Sequence, residues 1–320
     1  AVVIDHLTVS RTAANLGVSW HTANTAILTA GRQQLINDPH RFDQVTTIGV
    51  DEHVWRHTRR GDKYVTVIID LTPVREKRGP ARLLDMVEGR SKQVFSRWLA
   101  ARTQVWRDGI EIVAMDGFTG FKTASKEHLP DAVEVMDPFH VVQLAGDALD
   151  RTRQRVQQQT LGHRGRAKDP LYGVRRVLRT GEAFLTDKQL ARLDAVFADP
   201  AHADVWRAWR VYQQVVAAYR EEFSGNGRRR LRELIDTVKA TTPAWFVELR
   251  KLAYTLDRRR ADILAYFDHP RTSNGPTEAI NGRLEHLRGS ALGFRNLTNY
   301  IARSLLEAGG FRPYLHSQMR

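Results

Sequence analysis

Thr46-Thr47-Ile48-Gly49-Val50-Asp51-Glu52-His53 is the stretch on which the reading of this chain turns. A short run rich in β-branched residues delivers a carboxylate and then gives way to polar residues. The pattern predicts a buried strand over residues 45–50, with Asp51 near its carboxyl end. Ligand sites in open α/β sheets are commonly built at such strand ends. A lone aspartate there is more often a turn cap than a ligand, but two later features raise Asp51. A second apolar run ends in Met115-Asp116-Gly117, and a helix start near the far end carries Glu278. Three carboxylates far apart in sequence but deliverable to one sheet edge form a donor set suited to two divalent cations.

The chain has 320 residues, 42% hydrophobic and 27% charged, room for two domains or one large one with insertions. No apolar run approaches the ~18 residues of a membrane span. The first residues, Ala1 to His6, lack the pattern of a secretion signal, so a cytoplasmic location is expected. Ala1 to Leu7 read as the tail of a preceding helix or linker, so an amino-terminal portion is expected before them. Cysteine is absent, which excludes disulfides, thiol catalysis and cysteine-ligated zinc. Forty-nine Lys and Arg against 36 Asp and Glu give a net charge of +13, an excess that points towards nucleic acid. The bland alternative is an arginine-rich protein from a high-GC genome.

Residues 8–30 read as a helix–turn–helix: a short helix from Val9 to Leu16, a tight turn at Gly17-Val18, and a second helix from Trp20 to Ala30 capped by Ser19. The second helix of such a unit enters the major groove, so Trp20, His21, Thr22 and Asn24 are the candidate base readers. Any helical hairpin would look similar. Asn37-Asp38-Pro39 then begins a linker.

Strand signals follow over residues 45–50, 63–70 and 83–89, the first two joined by a turn at Arg60-Gly61-Asp62. A helix is expected over 92–102, a strand over 110–116, a helix over 121–128 and a strand over 132–137, and Phe139 opens a long helix. Three strands, helix, strand, helix, strand, helix is the order of the ribonuclease-H-like fold. The expected class is therefore α/β: a ribonuclease-H-like core interrupted by an all-helical insertion and preceded by a helix–turn–helix. The boundaries are 1–42 for the helix–turn–helix and linker, 43–150 for the first part of the core, 151–268 for the insertion, and 269–320 for the closing helix and tail.

Within the insertion, Pro243 is expected at the first position of a helix running to Leu256. Trp206, Trp209 and Trp245 are expected in the core. Arg228-Arg229-Arg230 and Arg258-Arg259-Arg260 read as solvated helix faces that together could form a phosphate-facing surface. After Pro270, Asn274-Gly275-Pro276-Thr277-Glu278 opens another helix, with Asn274, Glu278, Asn281 and Glu285 on a polar stripe and Ile280, Leu284 and Leu287 on the buried one.

The stretches Ile48-Gly49-Val50-Asp51-Glu52-His53, Tyr64 to Asp70, Ala114-Met115-Asp116, Val135-Met136-Asp137-Pro138-Phe139-His140, Asn274 to Glu278 and Gly293-Phe294-Arg295-Asn296 resemble those of DDE transposases of bacterial insertion sequences in the ISL-three family. The resemblance implies a DNA transposase that binds terminal inverted repeats, cleaves DNA strands and transfers them to target DNA with Mg²⁺ or Mn²⁺. Two ions roughly 3.5–4 Å apart serve such chemistry. Asp51 would bridge both ions, with Asp116 on one and Glu278 on the other. Double-stranded DNA would be the partner, a homodimer or higher assembly would join two ends, and the protein would be bacterial and nucleoid-associated. The Asp137-x-x-His140 pair resembles one near the active site in several transposase groups, though it equally fits a helix cap; with Asn274 it is a candidate supporting residue. Glu52 points away from Asp51 on a strand, Asp70 reads as structural, and His53 would contact phosphate or stand exposed. Glu285 is the rival to Glu278. The family usually begins with a cysteine-based zinc segment, and the sequence from Ala1 to Arg320 contains no cysteine.

Three readings from other classes compete. A domesticated, non-catalytic DNA-binding regulator would not need all three carboxylates. A helix–turn–helix joined to a sugar-kinase-like sensor would need a glycine-rich loop after Asp116, and Asp116-Gly117-Phe118-Thr119-Gly120 is poor in glycine. A structure-specific nuclease fits the long helical insertion less well.

Overall fold

The computed structural model describes residues 1–56 and 63–318. The chain divides into two compact units, residues 1–135 with 271–320, and Met136–Pro270. Among the described residues no helix is long and apolar enough to cross a membrane.

The first unit opens with α1 (Val9–Leu16) and α2 (Trp20–Gly31). The Thr8 hydroxyl accepts from the Arg11 N–H and the Ser19 hydroxyl from the Thr22 N–H, so both helices start at side-chain caps. Gly17 ends α1 at φ 64°, the left-handed conformation that favours glycine. Val9, Ala13 and Ala23 pack the two helices together.

A mixed five-stranded sheet follows, in the order β3-β2-β1-β4-β5. The strands are β1 (Thr47–Val54), β2 (Tyr64–Asp70), β3 (Arg82–Glu88), β4 (Ile112–Met115) and β5 (Val133–Met136). β1 pairs antiparallel with β2, and β2 with β3, while β1 runs parallel to β4. The expected turn at residues 60–62 lies outside the described residues. β1 also runs further than its sequence suggests. It pairs with β2 up to Val54↔Tyr64, whereas its ladder with β4 stops at Val50↔Met115. Asp51 therefore sits inside an eight-residue strand, at the point where one neighbour ends.

Alternation gives the sheet two faces. Ile48, Val50, Val113 and Met115 pack with Phe95 and Trp98 of the Lys92–Ala100 helix and Phe121 of the Thr119–His128 helix. On the opposite face Val65, Val67, Ile69 and Ala114 meet Ile280 and Leu284 of the Gly275–Ser290 helix and Tyr300 of the Leu297–Ala308 helix.

His53 belongs to that second face. It is 4% exposed, its Nε2 lies 2.8 Å from the Tyr300 hydroxyl, and the two rings stack. The expectation of a phosphate-contacting or exposed His53 is corrected: burial lowers its pKa to about 4, so the ring is neutral. Tyr300→Phe deletes the hydroxyl and strands a buried imidazole nitrogen. Urea unfolding should register a loss of about 1–3 kcal/mol.

The second unit is helical. Pro138–Leu161, Ala203–Tyr219, Ser224–Thr241 and Val247–Arg258 share one apolar core with shorter helices such as Asp187–Phe197. Two expectations fail. Pro243 does not start a helix; the Phe246 N–H donates to the Pro243 carbonyl in a turn, and the helix begins at Val247. Trp209 is buried, but Trp206 and Trp245 are 45% and 56% exposed.

Candidate active site

Three separate elements converge on the second face of the sheet. The β1–β4 register runs from Thr47↔Ile112 to Val50↔Met115, so the next residue along β1 is Asp51 and the residue just past the end of β4 is Asp116. Adjacent strands lie about 4.8 Å apart, and paired residues point to the same face. Asp51 also pairs with Val67, which faces the Gly275–Ser290 helix. That helix carries Glu278 in its first turn.

Gly49 is what lets the helix come close. A Cβ at this position would lie 2.7 Å from the Thr277 Oγ1, 3.1 Å from the Leu71 Cδ1 and 3.2 Å from the Asn274 Oδ1. Only a residue without a side chain leaves room for the first helical turn against β1. Asn274 stands at the helix N-cap, yet its side chain makes no capping bond; it packs against Gly49 instead.

Asp51 is held from two sides. Its Oδ1 accepts from the Glu52 N–H at 2.8 Å, and its Oδ2 from the Asn281 Nδ2 at 3.0 Å. Asp116 is half-buried, and its Oδ1 accepts from the Phe118 N–H at 2.8 Å. Burial, then the charges of Asp116, Glu52 and Glu278, push the Asp51 carboxyl up to about 7, against the Glu52 N–H, which lowers it. Asp51 thus feels Glu278 electrostatically, while Glu285, the rival, pairs with Arg288. Among the described residues no three His, Asp or Glu side chains stand together as a ready ligand set.

A pH dependence follows. The folded chain keeps the Asp51 proton up to about pH 7, whereas the unfolded chain loses it near 3.8. The native state therefore binds more protons between those values, and stability falls as pH rises through that window and levels above about 7. Thermal unfolding in chelator should show a loss on the order of 3 kcal/mol between pH 5 and 8. Asp51→Asn should flatten that slope.

The remaining candidates separate. Glu52 faces the other side of the sheet and pairs with Arg90, and Asp70 is buried in an ion pair with Arg82. Asp137 accepts from the His140 N–H at 3.3 Å, the helix-cap geometry. On α2, Trp20, His21 and Thr22 are exposed, but Asn24 is not. Asn24, Leu28 and Gly31 share the inward stripe at helical spacing, which corrects its reading as a base contact. Among the arginines, Arg259 is 4% exposed and bound to Asp262, so it cannot face phosphate. Arg228, Arg230 and Arg260 engage Asp268, Glu221, and Asp236 with Asp257. Arg229 and Arg258 stay exposed. Asn281 is the residue that the sequence left without a role; its only signal there was a place on the polar stripe.

A family model described as Transposase matches residues 48–304, a span that takes in Asp51, Asp116 and Glu278. The transposases for insertion sequence element IS1557 from two strains of Mycobacterium tuberculosis, CDC 1551 / Oshkosh and ATCC 25618 / H37Rv, are each 28% identical to the chain over 324 residues. The alignment covers 93% of this chain and 68% of theirs. A solved structure, the Drosophila P element transposase strand transfer complex, superposes with a TM-score of 0.49 at 10% identity, covering 95% of this chain and 90% of that one. The family match spans most of the chain, and on it the chain belongs to the ISL-three DDE transposase family and is a DNA transposase.

Proposed function

We propose that the chain cleaves DNA at the terminal inverted repeats of an insertion sequence and joins the freed ends to target DNA, with Asp51, Asp116 and Glu278 as the acidic centre. The observation that supports this reading is Asp51 itself, at the point where the β1–β4 ladder stops, its carboxyl raised to about 7 by burial and by the charges of Asp116, Glu52 and Glu278. Such a centre gains most from a divalent counter-charge.

The donor chemistry fits Mg²⁺ or Mn²⁺. The three acidic groups are hard carboxylates, and the Asn281 Oδ1 beside Asp51 is a buried oxygen with no hydrogen-bond partner among the described residues. Two such ions, when bound, would supply Lewis acidity at the attacking and leaving oxygens. The chain's own residues set the frame. Asn281 fixes the Asp51 rotamer, the Phe118 N–H fixes one oxygen of Asp116, and Gly49 sets the depth at which Glu278 arrives.

Around this centre we read a ribonuclease-H-like core in two parts, residues 43–150 and 269–320, interrupted by a helical insertion at 151–268. We read the α1–α2 pair, within residues 1–42, as a helix–turn–helix that offers Trp20, His21 and Thr22 to DNA. Arg229 and Arg258 are exposed arginines of the two runs that lie outside the ion pairs named above, and we read them as facing phosphate. Joining two ends calls for at least two protomers. In a nicking assay, the full chain with Mg²⁺ should cut a duplex carrying the terminal repeat of the element that encodes it, and chelator should stop the cutting. A chain that binds the repeat but never nicks it would favour the regulator reading.

A further inference from the structure

We infer that the first unit holds a site for unpaired nucleotides, in a cleft separate from the carboxylates. The cleft has a volume of about 1320 Å³, above the roughly 300–1,000 Å³ of a typical small-ligand pocket, so it has room for more than one nucleotide. It is lined by α1 and α2, by the loop that follows the Gly275–Ser290 helix, and by the Leu297–Ala308 and Arg312–Gln318 helices.

Three observations point to this ligand. First, six arginines line the cleft against one carboxylate, Glu307. Some already have partners, such as Arg82 on Asp70, but Arg295 is exposed. Arg303, 5% exposed, has an Nη1 without a hydrogen-bond partner among the described residues. Its charge adds to the positive field that the cleft wall offers a phosphate. Second, the lining between these cations is apolar and aromatic, with Leu287, Phe294, Phe311 and the half-exposed Trp20. A paired duplex presents phosphates and base edges; base faces become available to apolar and aromatic side chains only outside the stack. Third, Leu292 at the lip is 97% exposed and has φ 54°, a conformation that bulky side chains rarely adopt. An apolar residue held fully in water beside an apolar cleft has the form of a wedge that separates bases.

The inference rests on the transposase reading for its choice of DNA as ligand, but not on the carboxylates. The test is fluorescence anisotropy of the full chain in EDTA, where no cleavage occurs. One probe is a labelled blunt duplex of arbitrary sequence, and the other is the same duplex with a short single-stranded extension. The extension should tighten binding about tenfold, the scale of one stacked base. Leu292→Ser, at a fully exposed position, should bind the two probes with equal affinity, and Leu292→Phe should keep the preference. Equal affinity in the unmodified chain, or an undiminished preference in Leu292→Ser, would overturn the site. Asp51→Asn should keep the preference while losing nicking, so failure here and failure of the carboxylate reading are separable.

Discussion

Asp51→Asn, Asp116→Asn and Glu278→Gln should each lower strand nicking by roughly 10³-fold or more. Each change keeps the shape of the side chain and removes one negative oxygen donor. A cation in such a site is worth several kcal/mol of transition-state charge, and each 1.36 kcal/mol is about tenfold in rate. The three carboxylates act on one centre, so double replacements should be little worse than single ones. Binding of the repeat should persist, because none of the three helps to attract phosphate. Glu285→Gln is the matched control. Glu285 lies on the same helix but pairs with Arg288, and its charge acts on His53 and Tyr300. Its loss should change nicking only a few-fold. Robust nicking by any of the three carboxylate variants would remove that residue from the centre.

The second large effect is expected from a single methyl group. Gly49→Ala places a Cβ 2.7 Å from the Thr277 Oγ1, a distance that real Cβ atoms essentially never show. The first turn of the Gly275–Ser290 helix must then retreat from β1 and take Glu278 with it. Overpacking of this kind costs about 1–3 kcal/mol. A displacement near 1 Å at a reacting centre costs on the order of 100-fold in rate. Gly49→Ala should therefore lower both the unfolding midpoint and nicking. Thr277→Ala tests the cause, because Thr277 is fully buried and its hydroxyl has no hydrogen-bond partner among the described residues. Its removal costs little alone and should restore part of the loss in the double variant. A Gly49→Ala chain with unchanged nicking would mean that the close approach does not set the position of Glu278.

The strand order was legible because β-branched runs and their punctuation are local. The starts of α1 and α2 were legible for the same reason: Thr8 and Ser19 cap three residues ahead. What escaped depends on distant partners. The end of β1 is set by Tyr64 on one side and Met115 on the other. His53 looked exposed beside polar neighbours, but the Tyr300 that buries it lies 247 residues away. Asn281 reaches Asp51 across 230 residues. The arginine runs read as uniform, yet Asp262 draws Arg259 inward while Arg258 remains outside. Within the candidate site, the three carboxylates came from motif and order. Gly49 and Asn281, which fix the spacing and the rotamer, became visible only once the helix was seen against β1.

Asp51, Asp116 and Glu278 should bind cations as one centre. Calorimetric titration of Mn²⁺ into the full chain at pH 7, compared with Asp51→Asn, tests it most directly. The unmodified chain should bind saturably and release protons, because the Asp51 carboxyl sits near pH 7 before binding and must be ionised after it. The Asp51→Asn chain should show neither the saturable heat nor the proton release. Equal Mn²⁺ affinity and stoichiometry in the two chains would contradict the claim.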